Sequence, residues 1–315
     1  MAQKASKLPK HHYIPVFYLR QWTRRHTGQL IEFSRPFGDV VKPKLTYPDA
    51  TGFVRGLHRL PGLPDEVAEQ IETKFFKQLD DFASYAHKRL LRKYMANWSI
   101  QMRVAWSRFI LGILLRSPSA VADTKKNFGD AMPKHWEEAK AKQATINPKA
   151  PTLPDYDATF VERQSLLTIQ RFINNPSLLN FISNMKWFVC DLSYSRYRLL
   201  TSDRPVVMTN GLGYPESHIA LPISPTILFV ATNTQETFRS IEAMPPRDLV
   251  SNCNKQVVRN AVKYVWAPDH SQFGLIRSQM SSEAHHDRRW FSGSSFSDCR
   301  LTPEVEQIFK ERIKN

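Results

Sequence analysis

Cysteine is scarce in this chain. The three present, Cys190, Cys253 and Cys299, stand far apart and form no CxxC pair. That excludes a zinc knuckle, a dithiol redox motif and a disulfide framework, and it fits a reducing cytoplasm. Long apolar runs are missing too. The longest, FILGILL at 109–115, is too short to cross a bilayer. No apolar stretch follows the basic start MAQKASKLPK, so no secretory leader is read there. GxGxxG, P-loop, GxSxG and HExxH motifs are absent, as is any internal repeat.

Acidic residues are in deficit. Lys and Arg total 44 against 29 Asp and Glu, a net charge of +15 over 315 residues. Such a balance favours polyanionic partners, nucleic acid foremost, or an anionic surface. Apolar residues make up 42% and aromatics 11%, which indicates a globular chain.

Residues 1–10 read as a disordered basic arm carrying Lys4, Lys7 and Lys10. Pro15 forces an extended lead and opens a short helix with Tyr18, Leu19 and Trp22 on one face. GQLIEFSR at 28–35 reads as a strand, followed by a Pro- and Gly-rich loop through residue 64. From 64 to 94, Val67, Ile71, Phe75, Leu79, Phe82, Ala86 and Leu90 recur at helical spacing. They mark one amphipathic helix, acidic at its start and basic at its end. A second helix, about 98–116, is apolar on most sides and stops before Pro118. Residues 121–157 form a Lys-rich polar insertion, read as a short exposed helix and a flexible connection. Helices follow at 158–174 and 176–184. Strands are read at 187–193, 196–202, 218–224 and 226–232 as an antiparallel meander. A helix at 246–263, a strand in YVWAP and a C-terminal helix within 303–315 complete the chain. The expected class is α+β: one domain over 11–302, with a helical N-terminal half (64–184) packed on a C-terminal antiparallel sheet (187–268).

Four polar positions stand out. His11 and His12 are adjacent, and neighbours in an extended chain point to opposite sides. One metal therefore does not take both, and a single histidine enters a site as base or ligand, or caps a hydrogen-bond network. Asp203, in LLTSDRPVV, either builds a Ser-Asp turn or projects from a strand end as a metal ligand or acid–base group. Glu72 lies at the margin of the apolar stripe and is half buried. Asp80 lies two turns on, roughly 12 Å along the axis, and reads as a solvated or salt-bridged face. Arg116 ends an apolar helix and needs an anionic partner when buried: a substrate phosphate, Glu72 or Asp203. Arg and Trp interleave in RQWTRRH (20–26) and again around 285–291, a pattern that suits phosphates and stacked bases.

HHYIPVFYLRQW, QIETKFFKQLDDFA, LLRSP, TSDRPV, ALPISP and NKQVVRNAVKYVWAP occur in that order. Together they resemble the uncharacterised bacterial family catalogued as domain of unknown function 4238, over about residues 10–268. The resemblance implies that His12, Tyr13, Pro15, Tyr18, Glu72, Arg116 and Asp203 occupy characteristic family positions. Arg204 stands where family members often have Asn, which adds positive charge beside Asp203. The resemblance supplies no reaction. The expectation drawn from it is a cleft in which His12, Glu72 and Asp203 act catalytically. Arg116, Tyr13, Tyr18 and Arg204 would bind substrate there, and Asp203 and Glu72 would hold Mg²⁺ or Mn²⁺ for hydrolysis of a nucleic acid or another phosphate-containing substrate. The alternatives are a non-catalytic nucleic-acid-binding protein with a structural polar network, and a protein-interaction module built on the Lys-rich insertion.

Overall fold

In a computed structural model, residues 8–147, 149, 151, 155–209 and 212–280 are described. Most of the basic arm, the Arg/Trp segment near 285–291, Cys299 and the expected C-terminal helix lie outside them.

Strand β1 (Lys10–His12) leads into the short helix α1 (Val16–Leu19), which tightens into a 3₁₀ turn at Arg20–Trp22. Tyr18, Leu19 and Trp22 share one fully buried face, as the spacing after Pro15 predicts. Strand β2 (Leu30–Phe37) is followed by β3 (Val40–Thr46) and β4 (Phe53–Arg55), where sequence indicated a loop. β3 escapes sequence reading because of Val-Lys-Pro-Lys. Proline lacks a donor but is tolerated on a sheet edge, and β3 is the edge strand beside β2. Gly52, at φ +65°, turns the chain into β4. Its carbonyl accepts the amides of Tyr13 and Ile14, and a Cβ there would stand 3.3 Å from the Ile14 side chain.

The expected 64–94 helix is present in three parts: α2 (Asp65–Ala68), a π-helical stretch (Ile71–Phe76) and α3 (Lys77–Leu91). The wider π turn shifts the register. Phe75 and Phe76 are both buried, and Ala68 and Ala83 replace Val67 and Phe82 on the inner face. Helix α4 (Ile100–Leu115) is capped by the Ser99 side chain and buries Trp106, Phe109, Ile110 and Leu111. It is the central helix and packs on α3.

Residues 118–146 depart from expectation. They form one helix, α5 (Pro118–Ile146), of 29 residues, with Pro133 inside it. Its polar composition hides a narrow apolar contact, Val121 and Met132, that seats it on α6 (Ala158–Ile173). Tertiary packing of that kind outweighs weak local propensity. α7 (Pro176–Asn184) follows.

The expected meander divides between two sheets. β5 (Lys186–Asp191), β6 (Thr201–Ser202), β7 (Val207–Thr209), β8 (His218–Ser224) and β9 (Ile227–Thr232) come next, then helices α8 (Gln235–Glu242) and α9 (Pro246–Asn260), strand β10 (Val265–Ala267) and helix α10 (Phe273–Gln279). One antiparallel sheet runs β5-β9-β8-β7. The other runs β3-β2-β10-β6, so the N-terminal strands pair with the C-terminal β10. Only two residues of the expected 196–202 strand are sheet. Just before them, Asn254 accepts the Leu200 amide and donates to the Arg198 carbonyl, taking the place of a neighbouring strand. β1 and β4 form a separate two-stranded piece. The class is α+β, with most helices in the N-terminal half and most strands in the C-terminal half.

Candidate functional site

Five segments meet at one corner: β1, the turn after β4, the π stretch, the start of α3 and the C-terminus of α4. Alternation along β1 sends His11 and His12 to opposite sides. His11 is completely buried. Its Nε2 lies 2.7 Å from Glu69 Oε2, and its Nδ1 accepts the His58 amide at 3.0 Å. The two imidazoles stack, 5.6 Å between centroids and 11° apart in plane.

His58 is buried as well. Its Nδ1 is 2.9 Å from Glu72 Oε2, and its Nε2 is 3.1 Å from the Arg116 carbonyl. That carbonyl belongs to the C-cap of α4 and has no intrahelical donor, so the imidazole completes the helix end. Behind this pair, Glu69 also accepts Arg59 Nη1 at 2.8 Å, and Arg59 pairs with Asp65. Burial pushes the Glu72 carboxyl upward, but His58, His11 and Arg116 outweigh it and leave Glu72 below the usual carboxylate range. One donor atom each from His11, His58 and Glu72 lies within 4.8 Å of the others.

Arg116 is fully buried and rests over the Phe76 ring. Its partner is neither Glu72 nor Asp203. Nη1 donates to Asp80 Oδ1 at 2.9 Å. Asp80, read from sequence as a solvated or salt-bridged group, is salt-bridged. Burial raises it to about 6, against the pull of Arg116. The other two guanidinium nitrogens, Nε and Nη2, are buried without a hydrogen-bond partner.

His12 packs against Phe53. Its Nε2 is likewise buried and unpartnered. Burial lowers its pKa, opposed by the Asp49 backbone and by Glu72, while Arg116 adds to the lowering. His12, Glu72 and Arg116 are therefore within electrostatic reach of one another.

The remaining sequence candidates sit elsewhere. Asp203 Oδ1 accepts the Val262 amide at 2.9 Å, and Oδ2 accepts Lys263 at 2.6 Å and Tyr264 at 3.2 Å. The carboxylate thereby fixes the chain entering β10. Full burial raises it to about 6, and those three amides pull it back. Tyr13 is buried and pushed upward by burial and by Asp203. The Tyr18 hydroxyl donates to the Pro222 carbonyl at 2.6 Å and accepts from Thr201 Oγ1 at 2.8 Å. Arg204 donates to Ser119 Oγ at 2.6 Å. It lines a largely apolar cavity of about 620 Å³ between the end of α4, α5 and α6, whose lining includes Leu115 and Ser117 on either side of Arg116.

The residues missed from sequence are His58 and Glu69, together with the inward role of His11. His58 lies in an irregular turn and carries no periodic signal. Only the β1–β4 pairing, which sets His11 opposite Val54, brings it to the site.

A family model described as a protein of unknown function, DUF4238, matches residues 10–271. The chain belongs to the DUF4238 family. The match covers every residue of the corner, from Lys10 in β1 to the α4 terminus, and also the Asp203 clamp. No curated protein and no solved structure matches. Among the described residues no helix is long and apolar enough to cross a membrane.

Proposed function

We propose that this protein is a hydrolase acting on a phosphate-containing substrate, with Arg116 as the anion-holding group and His12 as the base. One observation carries the reading: a fully buried guanidinium keeps two nitrogens without partners, near a buried imidazole nitrogen that also has none. Buried polar groups are nearly always paired, so such a group implies an acceptor from outside the chain. A phosphoryl oxygen matches the arginine fork, and charge-assisted bonds of this kind are the strong ones. The net charge of +15 favours a polyanion such as nucleic acid as the bearer of that phosphate.

In this reading burial keeps the His12 imidazole neutral, so Nε2 offers a lone pair to water. Water adds to phosphorus as His12 takes its proton. The ester P–O bond breaks with its electron pair on the leaving oxygen, which is protonated from solvent. Arg116 neutralises charge that grows on the phosphoryl oxygens. Asp80 holds Arg116 in place, and Asp203, Tyr13 and Tyr18 position the strands around the cleft.

The test is phosphodiester cleavage by the full chain, on a mixed single-stranded oligonucleotide and on bis(p-nitrophenyl) phosphate. His12→Asn is expected to lose about 10²-fold or more in rate, the usual weight of a general base. Arg116→Lys, which keeps charge and loses the fork, is expected to fall similarly with melting temperature monitored. Absence of cleavage of either substrate by wild type, or full activity in both folded variants, overturns the proposal. Salt-sensitive oligonucleotide binding without cleavage would identify the protein as a non-catalytic binder instead.

A further inference from the structure

We propose that His58, Glu72 and His11 form a divalent transition-metal centre, with zinc the best-matched ion. This adds a metal to the hydrolase reading above without needing it to be correct, because the argument rests on donor counting at three side chains.

His58 Nε2 faces a carbonyl oxygen, which has no proton to give. Nε2 therefore carries the hydrogen, and a neutral His58 has its lone pair on Nδ1. That lone pair points at a carboxylate oxygen 2.9 Å away. Two acceptors at that distance repel unless a cation or a second proton lies with them. A second proton would make His58 a buried imidazolium paired with Glu72, its side chain 1% exposed, or make Glu72 a neutral carboxylic acid donating to Nδ1. A metal ion takes both lone pairs at once.

His11 shares the tautomer of His58 but not the facing of two acceptors, since its Nδ1 meets the His58 amide. Its Nε2 faces Glu69 at 2.7 Å, which assigns the hydrogen to Nε2 and the lone pair to Nδ1. Both histidines thus give their second N–H to an oxygen acceptor, one a backbone carbonyl and one a carboxylate. That is the arrangement that fixes tautomer and ring orientation in metal-ligating histidines. The single lone pair of His11 Nδ1 already accepts the His58 amide at 3.0 Å, so its coordination would require that bond to break. His58 and Glu72 are accordingly the principal ligands and His11 completes the set, all within 4.8 Å.

Two imidazoles and one carboxylate suit zinc, and the borderline metals near it, better than magnesium or calcium, which prefer oxygen. The expectation of Mg²⁺ or Mn²⁺ held by Glu72 with Asp203 gives way to this set, since both Asp203 oxygens accept backbone amides. Three protein ligands leave a position for water or a substrate oxygen. Glu72 is the ligand reached from solvent, its side chain 23% exposed.

The experiment uses the full chain, stripped with a chelator and titrated with zinc alone, with bound metal measured by mass spectrometry and melting followed in parallel. The expected result is one zinc per chain and a rise in melting temperature. Glu72→Gln, which keeps side-chain size, should weaken binding by about 10²-fold or more, and Glu69→Gln, one bond further out, by about 10-fold. Should His58→Gln fail to fold, Glu72→Gln still decides. Less than about a tenth of an equivalent of zinc with unchanged melting overturns the centre, as does equal zinc affinity in wild type and Glu72→Gln. Stoichiometric zinc lost in Glu72→Gln upholds the centre even where no phosphodiester is cleaved, and then only the hydrolase reading falls.

Discussion

At the scale of single residues, histidine and carboxylate burial pull the pH dependence of this fold in opposite directions. His87 is buried, donates Nε2–H to the Ile223 carbonyl at 2.8 Å and stacks on Trp106 at 5.8 Å and 8°. Burial pushes its pKa down to about 4, against the carbonyl bond. The unfolded chain binds this proton near 6.5, so the stabilisation is complete above that pH and is lost as pH falls toward 4. The whole effect amounts to at most about 3 kcal/mol. Asp80 and Asp203, both raised to about 6, act the other way: the folded chain holds their protons more tightly between about 4 and 6, so they favour folding as pH falls there. The His87 share is isolated by comparison: with melting temperature followed from pH 7 to 4, His87→Gln should start below wild type and the gap should narrow as pH falls, and a gap that stays constant would refute this assignment. The same scale shows what could be read of the site. His12, Glu72 and Arg116 stand out because a polar residue in an apolar or aromatic setting needs a reason. Asp203 stands out equally, yet its surroundings are three backbone amides from a segment about sixty residues away, which no local pattern reveals.

At the scale of elements, the π stretch is the device that assembles the corner. A periodicity of 3.6 carries the 64–94 stripe correctly at Ile71, Phe75, Leu79, Ala86 and Leu90. It fails at Val67 and Phe82, which are 37% and 47% exposed. The wide turn falls between them, where it lets Phe75 and Phe76 both be buried, and such turns recur at functional sites. With that turn Glu72 meets His58 while Asp80 meets Arg116. Deleting Thr73, an exposed residue of the π stretch, should restore α-helical register and rotate Ile71 and Glu72 by about 100° relative to α3. Helix content by circular dichroism should hold. Stability should drop by about 2 kcal/mol or more through loss of the Ile71 contact, and zinc binding should disappear. A deletion variant that keeps both wild-type stability and zinc affinity would show that the π register has no such role. The α5 helix and strand β3 were illegible for a different reason: each is held chiefly by its packing or pairing on one neighbour, α6 or β2, and sequence composition records the polar majority instead.

At the scale of the molecule, the N-terminal segment fastens helices to both larger sheets. Tyr18 bonds to Thr201 in β6 and Pro222 in β8, which belong to different sheets. Trp22 Nε1 donates to the Leu199 carbonyl, and Trp266 Nε1 in β10 donates to Thr51 beside β4. One apolar cluster runs from Tyr13 through α3, α4, α6 and α7 to Phe229 and Trp266, so helices and sheets share buried surface. A chain connected this way lacks a plane along which the helical part could separate from the sheets cheaply. We expect one cooperative unfolding transition, with far-ultraviolet circular dichroism reporting the helices and tryptophan fluorescence reporting the buried Trp22, Trp106 and Trp266. The two midpoints in urea should coincide. Tyr18→Phe, which strips Thr201 and Pro222 of their shared partner, should lower both by the same amount, about 1–2 kcal/mol. Midpoints that diverge in wild type would mean two folding units, and a Tyr18→Phe shift confined to one probe would mean that this bond serves one layer alone.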